Sequence, residues 1–198
     1  MTFTRYFNLN CRWRSIARPG FVNGLEQVQV DAVENNIIAA STVIGGKSSQ
    51  PFGIFYSIIC AADWAVRSFK IENTKGHALT MNADGEGNWY NEDGTNAPQF
   101  AGAIDIDLSG TPFTCTLPIR RMKQHKAGES ERFKMLRISL DDLSVKIDKQ
   151  QYTCLIPYKK YRRESRALRH EDEFFVDDNA IVHDYPKRYI REILEETK

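Results

Sequence analysis

Apolar and polar residues alternate along most of this chain, and helical periodicity is almost absent. Val28, Val30 and Ala32 alternate with Gln27, Gln29 and Asp31. Residues 38–44 are β-branched and apolar, ending at Gly45-Gly46, and residues 53–59 read as a buried strand. Further strands are expected over 64–71, around Leu79 and Met81, and at Asn88-Trp89-Tyr90. Asp84-Gly85 and Asp93-Gly94 are turn dipeptides of the hairpin kind. Residues 132–140, Leu143-Val145-Ile147 and Tyr152-Cys154-Ile156 continue the pattern. Many short strands joined by tight turns predict an all-β, mainly antiparallel fold. Its sheet should be curved, rolled or barrel-like, so that few edges stay open.

Two features modify that picture. Tyr189, Ile190, Ile193 and Leu194 fall at helical spacing after Pro186, which predicts one short C-terminal helix near residues 187–196. A faint echo links Tyr56, Trp64-x-x-Arg67 and Asp84-Gly85…Trp89 with Tyr152, Tyr158-x-x-Tyr161 and Asp178-Asn179…Tyr185. The order and approximate spacing agree with an internal duplication of a β-meander, and chance alternation of aromatics explains them almost as well.

A chain of 198 residues with 41% hydrophobic content can bury a substantial core. A net charge of +1 argues against a specific nucleic-acid binder, which usually carries a strong basic excess. Cys11, Cys60, Cys115 and Cys154 are far apart in sequence and form no C-x-x-C, so free buried thiols are expected rather than a metal site. Met1-Thr-Phe-Thr-Arg-Tyr lacks the pattern of a secretory signal, and residues 52–62 are too short an apolar run to span a bilayer. A cytoplasmic protein is the expectation. No nucleophile elbow, H-E-x-x-H or cofactor-binding glycine loop occurs, so neither cofactor nor metal is expected.

The segment from Asp105 to Met122 stands apart. Alternation sends Ile104, Ile106 and Leu108 to one side and Asp105 and Asp107 to the other. The chain then breaks at Gly110-Thr111-Pro112, passes Thr114 and Thr116, breaks again at Pro118 and ends on Arg120 and Arg121. Proline lacks the ladder donor, so this piece is expected to form a polar rim beside an apolar face, near Trp64, Arg67 and Trp89. If extended, it points Arg120 and Arg121 to opposite faces, and one should turn inward. Asp105 or Asp107 is its simplest partner, with an anionic or hydroxylated head group as the alternative. Two basic stretches, 120–126 and 159–169, the second with Tyr158 and Tyr161, are compatible with single-stranded nucleic acid or with peripheral contact to anionic lipid, although a solvated loop explains them more simply.

The chain resembles a bacterial glycolipid-binding protein family, formerly a domain of unknown function. The resemblance covers nearly all of residues 1–198 as a single domain. It rests on Trp13-Arg14, Gly24-Leu-Glu26, Tyr56, Asp63-Trp-Ala-Val-Arg67, Asp84-Gly-Glu-Gly-Asn-Trp89 and Asp105-Ile-Asp-Leu108. Its most specific part is Thr111-Pro-Phe-Thr-Cys-Thr-Leu-Pro-Ile-Arg-Arg121. Gln151-Tyr-Thr153, residues 161–165 and Asp184-Tyr-Pro186 complete it. Three positions depart from the family pattern: Cys115 stands for Asn, Arg163 for the second Tyr of Y-x-Y-x-S, and Asn179-Ala180 near a D-x-G turn. The resemblance implies a β-rich roll or barrel like lipoprotein carriers that shelter acyl chains. The expected function is non-catalytic binding of a lipid or glycolipid in an apolar groove. Its polar rim would comprise Trp64, Arg67, Trp89, Asp105, Asp107, Thr111, Thr114, Thr116, Arg120 and Arg121. The alternative is a hydrolase or other enzyme on a sugar or phosphate ester, using Asp105 or Asp107. A simply packed structural protein is a third reading.

Overall fold

The computed structural model describes Phe3, residues 8–17 and residues 19–192. Alternation yields strands almost wherever it occurs. The first seven are β1 (Asn8–Ser15), β2 (Leu25–Val33), β3 (Asn36–Lys47), β4 (Gln50–Ala61), β5 (Val66–Asn73), β6 (Ala78–Ala83) and β7 (Trp89–Asn91). The remainder are β8 (Asp105–Leu108), β9 (Ser130–Ile138), β10 (Val145–Ile156), β11 (Lys160–Ser165), β12 (His170–Val176), β13 (Val182–Tyr185) and β14 (Tyr189–Glu192). All join one sheet in the order β7-β6-β5-β4-β3-β2-β1-β14-β13-β12-β11-β10-β9-β8. Every pairing is antiparallel except β8 with β9. The sheet curls without closing.

The two sheet ends, β7 and β8, are bridged by the segment between them. Gly102 N–H donates to Gly87 O at 2.7 Å, and Trp89 Nε1 donates to Ala103 O at 2.7 Å. Lys134 Nζ donates to Ala101 O from the β9 side. The loop thus covers two edges that would otherwise invite further strand pairing.

Several expectations need correction. Tyr189–Glu192 forms a strand, not the start of a helix, and residues 193–196 lie outside the described residues. Tertiary pairing overrides the helical spacing: β14 fills the place between β1 and β13, through Arg14 opposite Ile190 and Asp184 opposite Ile190. Gly45-Gly46 does not end β3, which continues to Lys47. Gly46 has φ 103° and would place a Cβ 2.8 Å from Gln50 O, so it permits close approach within the hairpin. The α-helix among the described residues is α1, Thr116–Arg121, preceded by a 3₁₀ turn over Phe113–Cys115.

This helical piece lies inside the curl. Residues 111–119 are all buried. Phe113 and Leu117 pack with Val28, Tyr56, Ile58 and Ile106. Cys115 and Ile119 pack with Met135, Tyr152, Phe174 and Tyr185. Residues four apart share a helix face, so the two faces join two halves of the core. The segment is a plug rather than a rim. Pro118 is tolerated because it lies in the first turn, where backbone N–H groups have no helical partner.

Two five-strand meanders, β3–β7 and β9–β13, repeat local features. Register shifts occur at Ile59/Cys60 and Cys154/Ile156. Left-handed Trp64 (φ 69°) and Tyr158 (φ 60°) follow them. Asp84 accepts from the N–H groups of Glu86 and Asn88, and Asp177 accepts from those of Asn179 and Ile181. The counterpart of Asp84 is therefore Asp177, one residue before the Asp178 of the sequence echo.

Candidate functional site

The site begins with a charge in an apolar row. In β2, Glu26, Val28 and Val30 share the buried face. Glu26 is 3% exposed. Its Oε1 accepts from Tyr56 Oη at 2.6 Å, Thr111 Oγ1 at 2.7 Å and Ser41 Oγ at 3.1 Å. Thr111 Oγ1 also accepts from Phe113 N at 3.0 Å, which ties the carboxyl to the start of the plug. Glu26 Oε2 is buried and has no hydrogen-bond partner among the described residues. Burial pushes the Glu26 carboxyl up to about 7, against the downward pull of the Thr111, Tyr56 and Ser41 hydroxyls.

Glu26 lines a cavity of about 210 Å³ at one mouth of the curl. Trp13, Leu25, Val43, Ile44 and Phe52 supply apolar walls, and Ser15, Ser109 and Arg188 add polar atoms. Trp13 Nε1 donates to Val182 O at 2.8 Å, so its ring is fixed. A smaller cavity of about 70 Å³ shares Ser109, Gly110, Arg188 and Tyr189 with it. Thr111 lines this second cavity with Asp107, Arg137, Arg163 and Leu168.

Around the smaller cavity runs an ionic chain. Arg163 is 7% exposed and meets Asp107 Oδ1 at 3.5 Å, Asp172 Oδ2 at 3.1 Å and Tyr185 Oη at 2.9 Å. Asp172 Oδ1 also accepts from Arg188 Nε at 2.8 Å. Asp107 Oδ2 accepts from Gln150 Nε2 at 2.8 Å and lies 3.6 Å from Arg137. Buried charge here is matched by buried charge, as stability demands.

Cys115 and Arg163 meet in this chain. Arg163 Nη1 lies 3.8 Å from Cys115 Sγ. Ala180 is fully buried at φ 60°, a conformation that glycine adopts with less strain, and its carbonyl accepts from Thr116 Oγ1 at 3.1 Å.

The sequence-predicted residues fall into three groups. Asp107 and Thr111 stand at the mouth. Thr114 and Thr116 are buried in the plug, with hydroxyls turned to Leu108 N and Ala180 O. The rest lie elsewhere. Asp105 is 1% exposed at the other end of β8, where Arg121 Nη1 meets its Oδ2 at 2.7 Å. Burial pushes Asp105 up to about 6, against the pull of Arg121. Both aspartates are thus interior, with no solvated strand face. Arg120 belongs to the helix, not to an extended piece. It donates to Asn179 O through Nε and Nη2, and its guanidinium lies 5.0 Å from the Trp64 ring. Trp89 is buried, and Arg67 is exposed with its guanidinium over Gly85. Trp64, Arg67, Trp89, Asp105, Arg120 and Arg121 line neither mouth cavity.

Residues 10–191 match the family described as "Putative glycolipid-binding". The chain belongs to this family. A DUF1089 family protein (pa1994) from Pseudomonas aeruginosa, known from a crystal structure, is 30% identical to the chain. It superposes with a TM-score of 0.73 over 86% of this chain and 91% of its own. A β-barrel-like protein of the domain of unknown function DUF1849 from Brucella abortus superposes with a TM-score of 0.52. That match covers 96% of this chain and all of the other at 9% identity, which speaks to fold alone. No curated protein matches the chain. No described helix is long and apolar enough to cross a membrane.

Proposed function

We propose that the chain acts as a single unit that binds a lipid or glycolipid without catalysis, holding the polar head at the Glu26 mouth. One observation carries this reading: the buried Glu26 carboxyl, with one oxygen unpaired among the described residues, lines a cavity that sets apolar walls beside Ser15, Ser109, Asp141 and Arg188. A buried polar atom left unpaired is unfavourable, and a hydroxyl from a bound head group would relieve it. The family description supports a sugar-bearing head. A cavity of about 210 Å³ falls below the roughly 300–1,000 Å³ of pockets that enclose a whole drug-sized ligand, so it suits a head group rather than a long acyl chain. The tail would then leave over Phe21 and Ile44, which are 40% and 49% exposed beside the opening.

An enzyme working through Asp105 or Asp107 fits less well. Asp105 is ion-paired away from the mouth, and Asp107 is held by Gln150, Arg137 and Arg163. Neither has the freedom expected of an acid/base group facing a substrate.

Octyl glucoside below its micelle concentration tests the reading, with tryptophan fluorescence as readout because Trp13 lines the cavity. A saturable change is expected, with affinity reduced about tenfold in Glu26→Gln, the scale of one strong polar contact. No saturable change, or equal affinity in the variant, would count against it.

A further inference from the structure

A second feature lies on the outer face of the sheet, apart from the mouth cavity. A groove of about 700 Å³ runs across β9, β10, β11 and the start of β12. Arg132, Lys134, Lys149, Arg166 and Arg169 line it. None of the five has a carboxylate within ion-pair distance among the described residues. Elsewhere on the neighbouring strands cations are paired, as Lys160 and Arg162 are with Glu173. Two carboxylates, Glu164 and Glu171, also line the groove. Glu171 is engaged by Arg162 at 3.2 Å, and Glu164 accepts from the neutral Gln151 at 3.1 Å. In a chain of net charge +1 this is a local positive excess.

Lys134 donates to Ala101 O and Arg132 Nε to Gln151 Oε1 at 3.0 Å, but both acceptors are neutral and leave the charge uncompensated. Lys149 sits directly across from Lys134 in the β9–β10 register, and like charges in that position are unfavourable. The β11–β12 connection presents its residues outward. Residues 166–170, Arg-Ala-Leu-Arg-His, are all exposed. Leu168 is 41% exposed between the two arginines, and Arg169 is held at φ 48°. The connection is anchored below by buried Asp148. This carboxylate accepts from Ser165 Oγ at 2.6 Å and from Ala167 N at 3.0 Å. An exposed leucine between two groove arginines thus sits at the end of the groove, at the boundary between its cations and the small cavity that Leu168 lines.

We propose that this face docks on an anionic membrane surface, with Leu168 entering the headgroup layer, Arg132, Lys149, Arg166 and Arg169 meeting lipid phosphates, and Lys134 adding to the field. The charge suits an acidic leaflet, and the apolar tip distinguishes a membrane from a soluble polyanion. Long arginine and lysine side chains can reach phosphates while the tip sits deeper. Leu168 also lines the small cavity beside Thr111, so docking brings the mouth close to the lipid surface. The proposal stands whether or not the mouth holds a glycolipid.

Co-sedimentation with vesicles tests it. Vesicles of phosphatidylcholine mixed with phosphatidylglycerol should bind the full chain, and phosphatidylcholine alone should not. Binding should weaken as salt rises, because exposed charges are screened. The double variant Arg166→Glu, Arg169→Glu should bind at least about tenfold more weakly, since each cation near an acidic surface contributes about fivefold. Leu168→Ser should weaken binding while keeping the salt dependence. Lys149→Glu, on the rigid β10, gives a second reading if the tip variants lose structure by circular dichroism. Four results overturn the proposal: no binding to acidic vesicles; equal binding to both vesicle types; undiminished binding by the charge variants; or capture of inositol hexaphosphate with no vesicle binding, which would make the groove a soluble-polyanion site.

Discussion

A carboxyl that titrates near neutrality in the folded chain makes stability depend on pH in a direction opposite to that of most acidic residues. Glu26 is raised from 4.5 to about 7. Within that window the native chain still holds a proton that the unfolded chain has released. Its contribution is therefore greatest below about pH 4.5, declines as pH rises, and is flat above about 7. The span corresponds to roughly 3 kcal/mol as an order of magnitude. Asp105, raised to about 6, adds a similar decline over a lower range. Chemical denaturation across pH 5 to 8 should show stability falling as pH rises, and Glu26→Gln should flatten the part above about pH 6. An unchanged slope in the variant would mean that Glu26 is ionised at neutrality. Glu26 was legible in principle, because it stands in phase with Val28 and Val30. What hid it was the absence of any sequence cue for its partners. Ser41, Tyr56 and Thr111 come from three distant segments, and only the sheet brings their hydroxyls to one oxygen.

At the scale of elements, the plug decides the interior. Its threonines and prolines signalled a break in the strand pattern, but a break fits a rim as well as a buried helix. A six-residue helix has almost no stability alone, so only burial of Leu117 and Ile119 makes it form, and local sequence does not register that. The adjacent arginines then part ways. Arg121→Ala strips buried Asp105 of its ion pair and should lower stability by about 3 kcal/mol at neutral pH. That loss should shrink in acid, where Asp105 takes up a proton. Arg120→Ala removes bonds to one backbone carbonyl and a stacking contact on Trp64, so a loss of about 1–3 kcal/mol that varies less with pH is expected. Equal and pH-independent losses from urea denaturation would contradict this division. At the C-terminal end the same principle worked against the helical spacing. Four residues of β14 complete a ladder between β1 and β13, and the ladder prevails over periodicity.

At the scale of the whole molecule, alternation was enough to foresee a curled, mostly antiparallel sheet, because period-two burial leaves few other solutions. It was not enough to foresee that a helical plug and the aromatic residues fill the interior and leave a cavity of about 210 Å³ at a mouth. The cysteines belong to this filled interior: all four are buried, and burial pushes the Cys11 and Cys115 thiols up to about 11. Thiol reagents should therefore react slowly with the folded protein and with all four positions in denaturant. Fast labelling of the native state would point to a looser interior.

The central claim is that the Glu26 mouth holds the head of a lipid. Native mass spectrometry of the protein purified from its own cells, followed by lipid extraction, tests it most directly. The expected spectrum carries an adduct of lipid mass whose extract contains a hydroxylated head group. The Glu26→Gln protein, folded by circular dichroism, should carry markedly less of it. Wild-type protein that stays free of adduct even after exposure to the total lipid of those cells would contradict the claim, as would an adduct undiminished in the variant.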